Sequence, residues 1–207
     1  MIRNFFINIL FSLPIWLIEI IYKFKKDIKR GYIFDSQSRM LFSLMPKFEL
    51  HKVKEEEIPK IRNLIIKKRI NLRLSKKTKK KIEIKDHLIE KKNNLKLREY
   101  SPYVTDNENV ILYFHGGGYV LNSIETHHLT VSYFSEKLRT RIFSLAYSLS
   151  PENKFPYATN EALLAINWLN KNGYQMKNIN LCGDSAGAHL AASASHSIAK
   201  ENTENIN

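Results

Sequence analysis

Gly183-Asp184-Ser185-Ala186-Gly187 is the stretch on which the reading of the fold turns. It stands between an apolar run, Ile179-Asn180-Leu181-Cys182, and a run of small residues suited to a helix, Ala188-His189-Leu190-Ala191-Ala192. A G-x-S-x-G at a strand-to-helix junction has the form of a nucleophile elbow. The logic is steric. The turn is so tight that a side chain at Gly183 or Gly187 would strike the neighbouring strand or helix. Ser185 is then held in a strained backbone conformation with its hydroxyl over the sheet edge. The helix that follows aims its first N–H groups at any anion formed there.

A second motif, His115-Gly116-Gly117-Gly118-Tyr119, follows the apolar run Val110-Ile111-Leu112-Tyr113-Phe114, which reads as a buried strand. Five of the seven glycines in the chain fall in these two motifs, leaving few for ordinary turns. A strand ending in H-G-G-G is the other half of an oxyanion hole, because glycines let the backbone approach a substrate and turn its N–H groups toward it. The competing reading is a flexible turn at 115–118 and a helix cap at 183–187.

At 207 residues the chain suffices for one domain with a sizeable core. Its single cysteine, Cys182, excludes an internal disulfide and is expected to pack as a small apolar residue on a buried strand. The net charge of +13 is uneven. Residues 1–100 hold 26 Lys and Arg against 11 Asp and Glu, whereas residues 101–207 hold 7 against 9. The basicity belongs to the leading half, away from the two glycine motifs. An anionic membrane surface or nucleic acid fits such a half, and so does a coding bias toward lysine.

Residues 5–22 are mostly apolar, about 27 Å long as a helix, which is short for a membrane span. Asn4, Asn8, Ser12, Glu19, Lys23, Lys26 and Arg30 form a polar stripe along it, arguing for a helix lying in an interface or packed as a lid. No small-residue cleavage site follows. The basic cluster Lys23, Lys25, Lys26, Lys29 and Arg30 would keep the body of a membrane-attached protein on the cytoplasmic side. Asp35 is placed to cap a helix over 36–45, with Met40, Leu41, Leu44 and Met45 apolar. A second helix is predicted over 55–70, acidic at its start and basic at its end. Residues 76–81, lysine-rich and without interleaved aromatics, read as a basic linker and argue against nucleic acid. The domain expectation is thus a membrane-interacting or lid helix over 1–30, a helical lid segment over 31–75, the linker, and a catalytic-type domain over 82–207.

From residue 82 the pattern turns to strands. Ile82-Glu83-Ile84 and Leu95-Lys96-Leu97-Arg98-Glu99-Tyr100 alternate and predict an antiparallel hairpin with Asn93-Asn94 near its turn. A helix is predicted over 127–140 with Val131, Phe134 and Leu138 inward, a strand over 142–147, and a helix over 157–171 with Ala162, Ala165, Ile166 and Leu169 inward. Strand, helix, strand, helix, strand, helix means a mostly parallel α/β sheet with crossover helices.

The sequence resembles the hormone-sensitive-lipase-like family of α/β-hydrolases. The residues that carry the likeness are His115-Gly116-Gly117-Gly118-Tyr119, Tyr147-Ser148-Leu149-Ser150-Pro151-Glu152 with Phe155-Pro156, and Gly183-Asp184-Ser185-Ala186-Gly187. The 70 positions from His115 to Ser185 also match, and the likeness spans roughly residues 34–200. It implies a carboxylic-ester hydrolase, an esterase or lipase, without cofactor or metal. Ser185 would be the nucleophile; Gly116, Gly117 and Ala186 would donate backbone N–H groups to the oxyanion; His115, Gly118, Gly183 and Gly187 would be structural. Ala146, Ser148 and Ser150 depart from the family's usual acidic residue, arginine and alanine, which implies a lost ion pair and local repacking.

Only 22 residues follow Ser185, and the resemblance places the acidic and histidine partners farther downstream. His189 and His196 lie along the helix that begins at the serine, and His115, His127 and His128 read as structural, capping or packing residues. The expectation is therefore a partial α/β-hydrolase sheet that lacks the later strands, with the strand at 178–182 left as an apolar edge. A complementary chain would supply the missing strands, acid and base. The alternatives are a non-catalytic ligand-binding module and an inactive remnant. The expected partners are a small-molecule or lipid ester and a membrane surface on the cytoplasmic side, or else a cytoplasmic location without attachment.

Overall fold

The computed structural model of the chain describes residues 13–22, 28–29, 32–33, 35–44, 53–70, 82–105 and 108–204. Contacts divide the chain into two units, Met1–Lys52 and Val53–Asn207. The boundary differs from the expected ones: the helix after residue 55 groups with the sheet instead of with the leading segment.

In the leading unit, α1 (Ile15–Tyr22) begins just after Pro14, β1 (Ile28–Lys29) pairs antiparallel with β2 (Tyr32–Ile33), and α2 covers Ser36–Leu44. Asp35 caps α2, accepting a hydrogen bond from the Ser38 N–H at 2.9 Å. Ile18 and Met40 are fully buried, and the Ser36 hydroxyl donates to Glu19 at 2.9 Å. Among the described residues no helix is long and apolar enough to cross a membrane. Residues 1–12, most of the basic cluster and the linker at 76–81 lie outside the described residues.

The second unit opens with a short 3₁₀ turn, Glu55–Glu57, and α3 (Ile58–Ile70). Five strands follow: β3 (Ile82–Glu90), β4 (Leu95–Pro102), β5 (Val110–Phe114), β6 (Arg141–Leu145) and β7 (Ile179–Gly183). Their order in the sheet is β3-β4-β6-β5-β7. β3 and β4 form the expected antiparallel hairpin, with Asn94 in a left-handed conformation at its turn. β4 meets β6 antiparallel, while β5 pairs parallel with β6 and with β7. Parallel neighbours need crossovers, supplied by α4 (Ile124–Leu138) and α5 (Tyr157–Lys171); α6 (Ala186–Glu204) follows the last strand.

Strand alternation sends the two faces to different helices. Leu112, Phe114, Phe143 and Leu145 meet Ala162, Ala165, Ile166 and Leu169 of α5 and Leu190 and Ala194 of α6. Tyr113 and Ile142 point to the other face and meet Val131 of α4. The two crossovers thus cover opposite faces, as right-handed connections in opposite directions along a sheet require.

Three local expectations are corrected. Phe134 and Leu138 are 39% and 54% exposed instead of inward. The sheet-facing side of α4 carries Ile124, Thr126, His127, Val131, Ser132 and Ser135. Ser135 donates its hydroxyl toward the Tyr100 and Thr140 carbonyls, both at 3.0 Å. Small polar residues let this helix lie close to the sheet, which turns the larger side chains outward. α4 also starts three residues earlier than expected, because Ser123 caps it by accepting from the Glu125 and Thr126 N–H groups. Cys182 is exposed, since β5 is the one strand that pairs with β7 among the described residues.

Phe114 is fully buried where the sheet meets α5 and α6. Phe114→Ala should lower the unfolding free energy of this unit by about 3–5 kcal/mol, read from urea denaturation. An effect below about 1 kcal/mol would contradict its place in the core.

Candidate active site

β5 and β7 are parallel neighbours in register from Val110↔Ile179 to Phe114↔Gly183. Their carboxyl ends therefore bring the two glycine motifs side by side. The chain leaves β7 through Asp184 and Ser185 into α6, with the Gly187 N–H donating to Asp184 O at 2.8 Å and the His189 N–H to Ser185 O at 3.1 Å. Ser185 sits at φ +51°, the left-handed region a side chain rarely adopts, and is exposed. Gly187 shows why the turn admits no side chain: a methyl there would collide with the Phe114 carbonyl oxygen at the end of β5. Gly183 is packed in the same way, with Phe114 O only 2.5 Å from where its methyl would be.

On the β5 side, His115 is 1% exposed, with its ring stacked on Tyr147 at 4.4 Å and Nδ1 2.9 Å from Gly116 O. Burial pushes its pKa down to about 4, so the ring is neutral near pH 7. Tyr147 donates its hydroxyl to His115 O at 2.5 Å. The loop then turns on Gly117, whose carbonyl accepts from the Val120 and Leu121 N–H groups. Gly117 has φ +131°, and a methyl there would meet Leu121 O. The Gly118 conformation, φ +63°, leads into Tyr119, whose hydroxyl lies 2.7 Å from His189 Nδ1.

The structure brings Ser185, Gly116, Gly117, Gly118 and Ala186 to one end of the sheet but reassigns Gly116. Its N–H is already donated to Asp184 Oδ1 at 2.8 Å and does not face an oxyanion. The N–H groups of Gly117, Gly118 and Ala186 carry no such bond among the described residues. The Asp184 carboxylate joins the two motifs. Among the described residues no side chain hydrogen-bonds the Ser185 hydroxyl; His189 is engaged by Tyr119, and the His127 Nε2 lies 3.4 Å from Asp184 Oδ1.

Sequence reading also missed Arg62 on α3. Its guanidinium donates to Val120 O and Ser150 O, both at 2.9 Å, and to the Glu152 carboxylate at 3.0 and 3.1 Å. One side chain thus ties the loop after the glycines to the 148–152 segment. Hydrogen bonds from Arg62 hold the Glu152 carboxyl below its ordinary range. No motif or spacing marks a lone arginine on a helix as the holder of a loop 58 residues away.

A cavity of about 310 Å³ adjoins Gly118 and Tyr119 and reaches Ser148, Phe155, His189 and Ser193. A larger cleft of about 1060 Å³ runs along β7 between α5 and α6, on Ile166, Leu181, Ala191 and Ile198; Ser185 does not line it.

Known proteins resemble this chain in sequence and fold. A family profile described as alpha/beta hydrolase fold matches residues 111–207. An arylesterase of Saccharolobus solfataricus is 34% identical over 119 residues, covering 56% of this chain and 37% of the arylesterase. The crystal structure of an esterase from the bacterial hormone-sensitive lipase family superposes with a TM-score of 0.58 at 27% identity, over 73% of this chain and 46% of that one. The fold is that of an α/β-hydrolase, and the matched stretches are similar to esterases of the hormone-sensitive-lipase family. The hormone-sensitive lipase of Ictidomys tridecemlineatus is 34% identical over 100 residues, 13% of its own length. The chain spans about a third of the length of the arylesterase and about half of the solved esterase.

At the expected lost ion pair, Ser148 donates both its N–H and its hydroxyl to Glu161, each at 2.6 Å, and Glu161 is 3% exposed. Two hydrogen bonds stand where a buried carboxylate would otherwise be unsatisfied.

The two kinds of glycine should separate on substitution. Gly118→Ala, at φ +63° with open space around the added methyl, should cost about 1–2 kcal/mol from left-handed strain. Gly187→Ala adds a backbone collision and should cost more, so thermal melting should rank wild type above Gly118→Ala and Gly118→Ala above Gly187→Ala. A Gly187→Ala protein melting with wild type would contradict the close approach to β5.

Proposed function

We propose that this chain carries the nucleophile and oxyanion hole of a carboxylic-ester hydrolase. The observation that carries the reading is Ser185: exposed, at φ +51°, on a turn whose neighbour Asp184 holds the Gly116 N–H at 2.8 Å. The Ser185 hydroxyl attacks the ester carbonyl, and the carbonyl oxygen takes up negative charge. The N–H of Ala186, at the start of α6, and that of Gly117 stabilise this charge, with Gly118 the next available amide. The cavity beside Gly118 and Tyr119 accommodates part of a small-molecule or lipid ester.

An unassisted serine is a weak nucleophile, and none of the described residues bonds its hydroxyl. In this reading acid and base come with a complementary segment that pairs with the edge of β7 left unpaired among the described residues and fills the cleft of about 1060 Å³ beside it. The same unassisted hydroxyl favours a second reading, a receptor that binds esters without turnover. The excess of basic residues in the leading half, together with exposed Ile15, Trp16 and Ile20 on α1, supports a place on an anionic membrane surface on the cytoplasmic side.

A fluorophosphonate probe tests the chemistry. The chain co-folded with a polypeptide bearing the later strands of a related esterase should label at Ser185, and Ser185→Ala should abolish labelling. Absence of labelling in both partnered and unpartnered protein, alongside ligand-induced thermal stabilisation, would favour the receptor. Flotation with phosphatidylserine vesicles, reversed by salt, checks the membrane reading; equal recovery with neutral vesicles would count against it.

A further inference from the structure

Asp184 stands beside the nucleophile, yet its carboxylate turns back on the protein. A single oxygen, Oδ1, collects the Tyr113 hydroxyl at 2.7 Å, the Gly116 N–H at 2.8 Å and His127 Nε2 at 3.4 Å. These donors come from the end of β5, from the glycine loop and from the first turn of α4. The contact is close on both sides, since a methyl on Gly116 would collide with Asp184 Oδ2. His127 is 8% exposed, with Nδ1 3.0 Å from the Thr126 hydroxyl, and its ring stacks on His115 at 5.5 Å.

We propose that Asp184 is a positioning residue that latches the oxyanion loop to the nucleophile turn, with His127 as its counter-charge, so that the register of the loop is linked to a proton. Gly117, one residue from the latched amide, then keeps its N–H aimed at the oxygen above Ser185. The consequence for catalysis rests on the esterase reading; the latch itself does not.

The groups facing Asp184 agree with an ionised carboxylate. Partial burial pushes its pKa up, but hydrogen bonds from Tyr113 and the Gly116 N–H and the charge of His127 outweigh this and hold the carboxyl below its ordinary range. Burial and the bond to Asp184 raise Tyr113 above the usual phenol range, and burial does the same for Tyr147, so both remain donors at neutral pH. His115 stays neutral for the reason given above. Cys182 on β7 is the remaining titratable neighbour of Tyr113. Because the folded-state pKa of Asp184 is depressed, the latch is present through neutral pH and is lost as pH falls through that depressed value.

The test follows the Gly116 amide of the full chain by ¹H–¹⁵N correlation spectroscopy from pH 7 to pH 3. The expected signal lies downfield and titrates with a midpoint below the ordinary carboxylate value. Asp184→Asn should move it upfield and abolish the titration. His127→Gln should raise the midpoint, and it remains decisive if Asp184→Asn fails to fold. A Gly116 titration unchanged in Asp184→Asn would overturn the latch, and an unchanged midpoint in His127→Gln would overturn the counter-charge. In the partnered protein, Asp184→Asn should slow fluorophosphonate labelling of Ser185 by at least roughly tenfold, as displacement of an oxyanion donor does. Failure of wild-type labelling would count against the esterase reading and leave the amide titration to decide the latch.

Discussion

The structure depends on the close approach of two parallel strand ends. Phe114 O faces Gly183 and Gly187 with no room for a side chain between them. That contact lets the last residue of β5 and the first turn of α6 share one small volume. Once it is made, the rest follows from short connections: Ser185 is forced into the left-handed region, Ala186 starts a helix pointing its amino end at the same place, and the glycine loop has one side against Asp184. Glycine is required there by volume, and the strain at Ser185 is sustained by the packing of the strands beneath it.

The surrounding elements hold this arrangement with unlike means. On one face of the sheet apolar area dominates, with Leu112, Phe114, Phe143 and Leu145 against alanine-rich stretches of α5 and α6. Small helix residues let those helices lie close while the strand residues supply the buried surface. On the other face α4 approaches through Ser132 and Ser135, and the Ser135 hydroxyl, donating to the Tyr100 carbonyl of β4, replaces part of the apolar contact. Above the sheet, polar clamps take over. Arg62 gathers carbonyls and a carboxylate from two loops, and Glu161 fastens Ser148. A partly buried guanidinium fork can satisfy several acceptors at once, which suits a place where irregular backbone must be held still.

Much of this was legible in the chain. The hairpin over 82–102, the three parallel strands and the inward face of α5 followed from period-two and period-3.6 patterning. Other features were not, and each failure has a cause. Phe134 and Leu138 fit an apolar stripe, but the true inner stripe of α4 is rich in serine and threonine, so hydrophobicity alone selected the wrong face. Cys182 reads as buried on an apolar strand until the strand order leaves it beside an edge that is unpaired among the described residues. Gly116 reads as a donor by its place in the motif, while its N–H direction is a matter of where Asp184 sits, 68 residues away.

The amino-acid sequence by itself determined the types and order of the elements and the two tight bends, because those depend on local sterics: where glycine must be and where apolar residues recur. It also singled out Ser185 as the candidate nucleophile, since a serine flanked in this way at a strand's end has few other uses. Tertiary structure alone decided which amides remain available, what Asp184 and His127 face, and that Arg62 holds the loop. Those outcomes depend on the direction of single N–H and guanidinium groups across distant segments, and direction exists only once parallel strands have set the segments side by side.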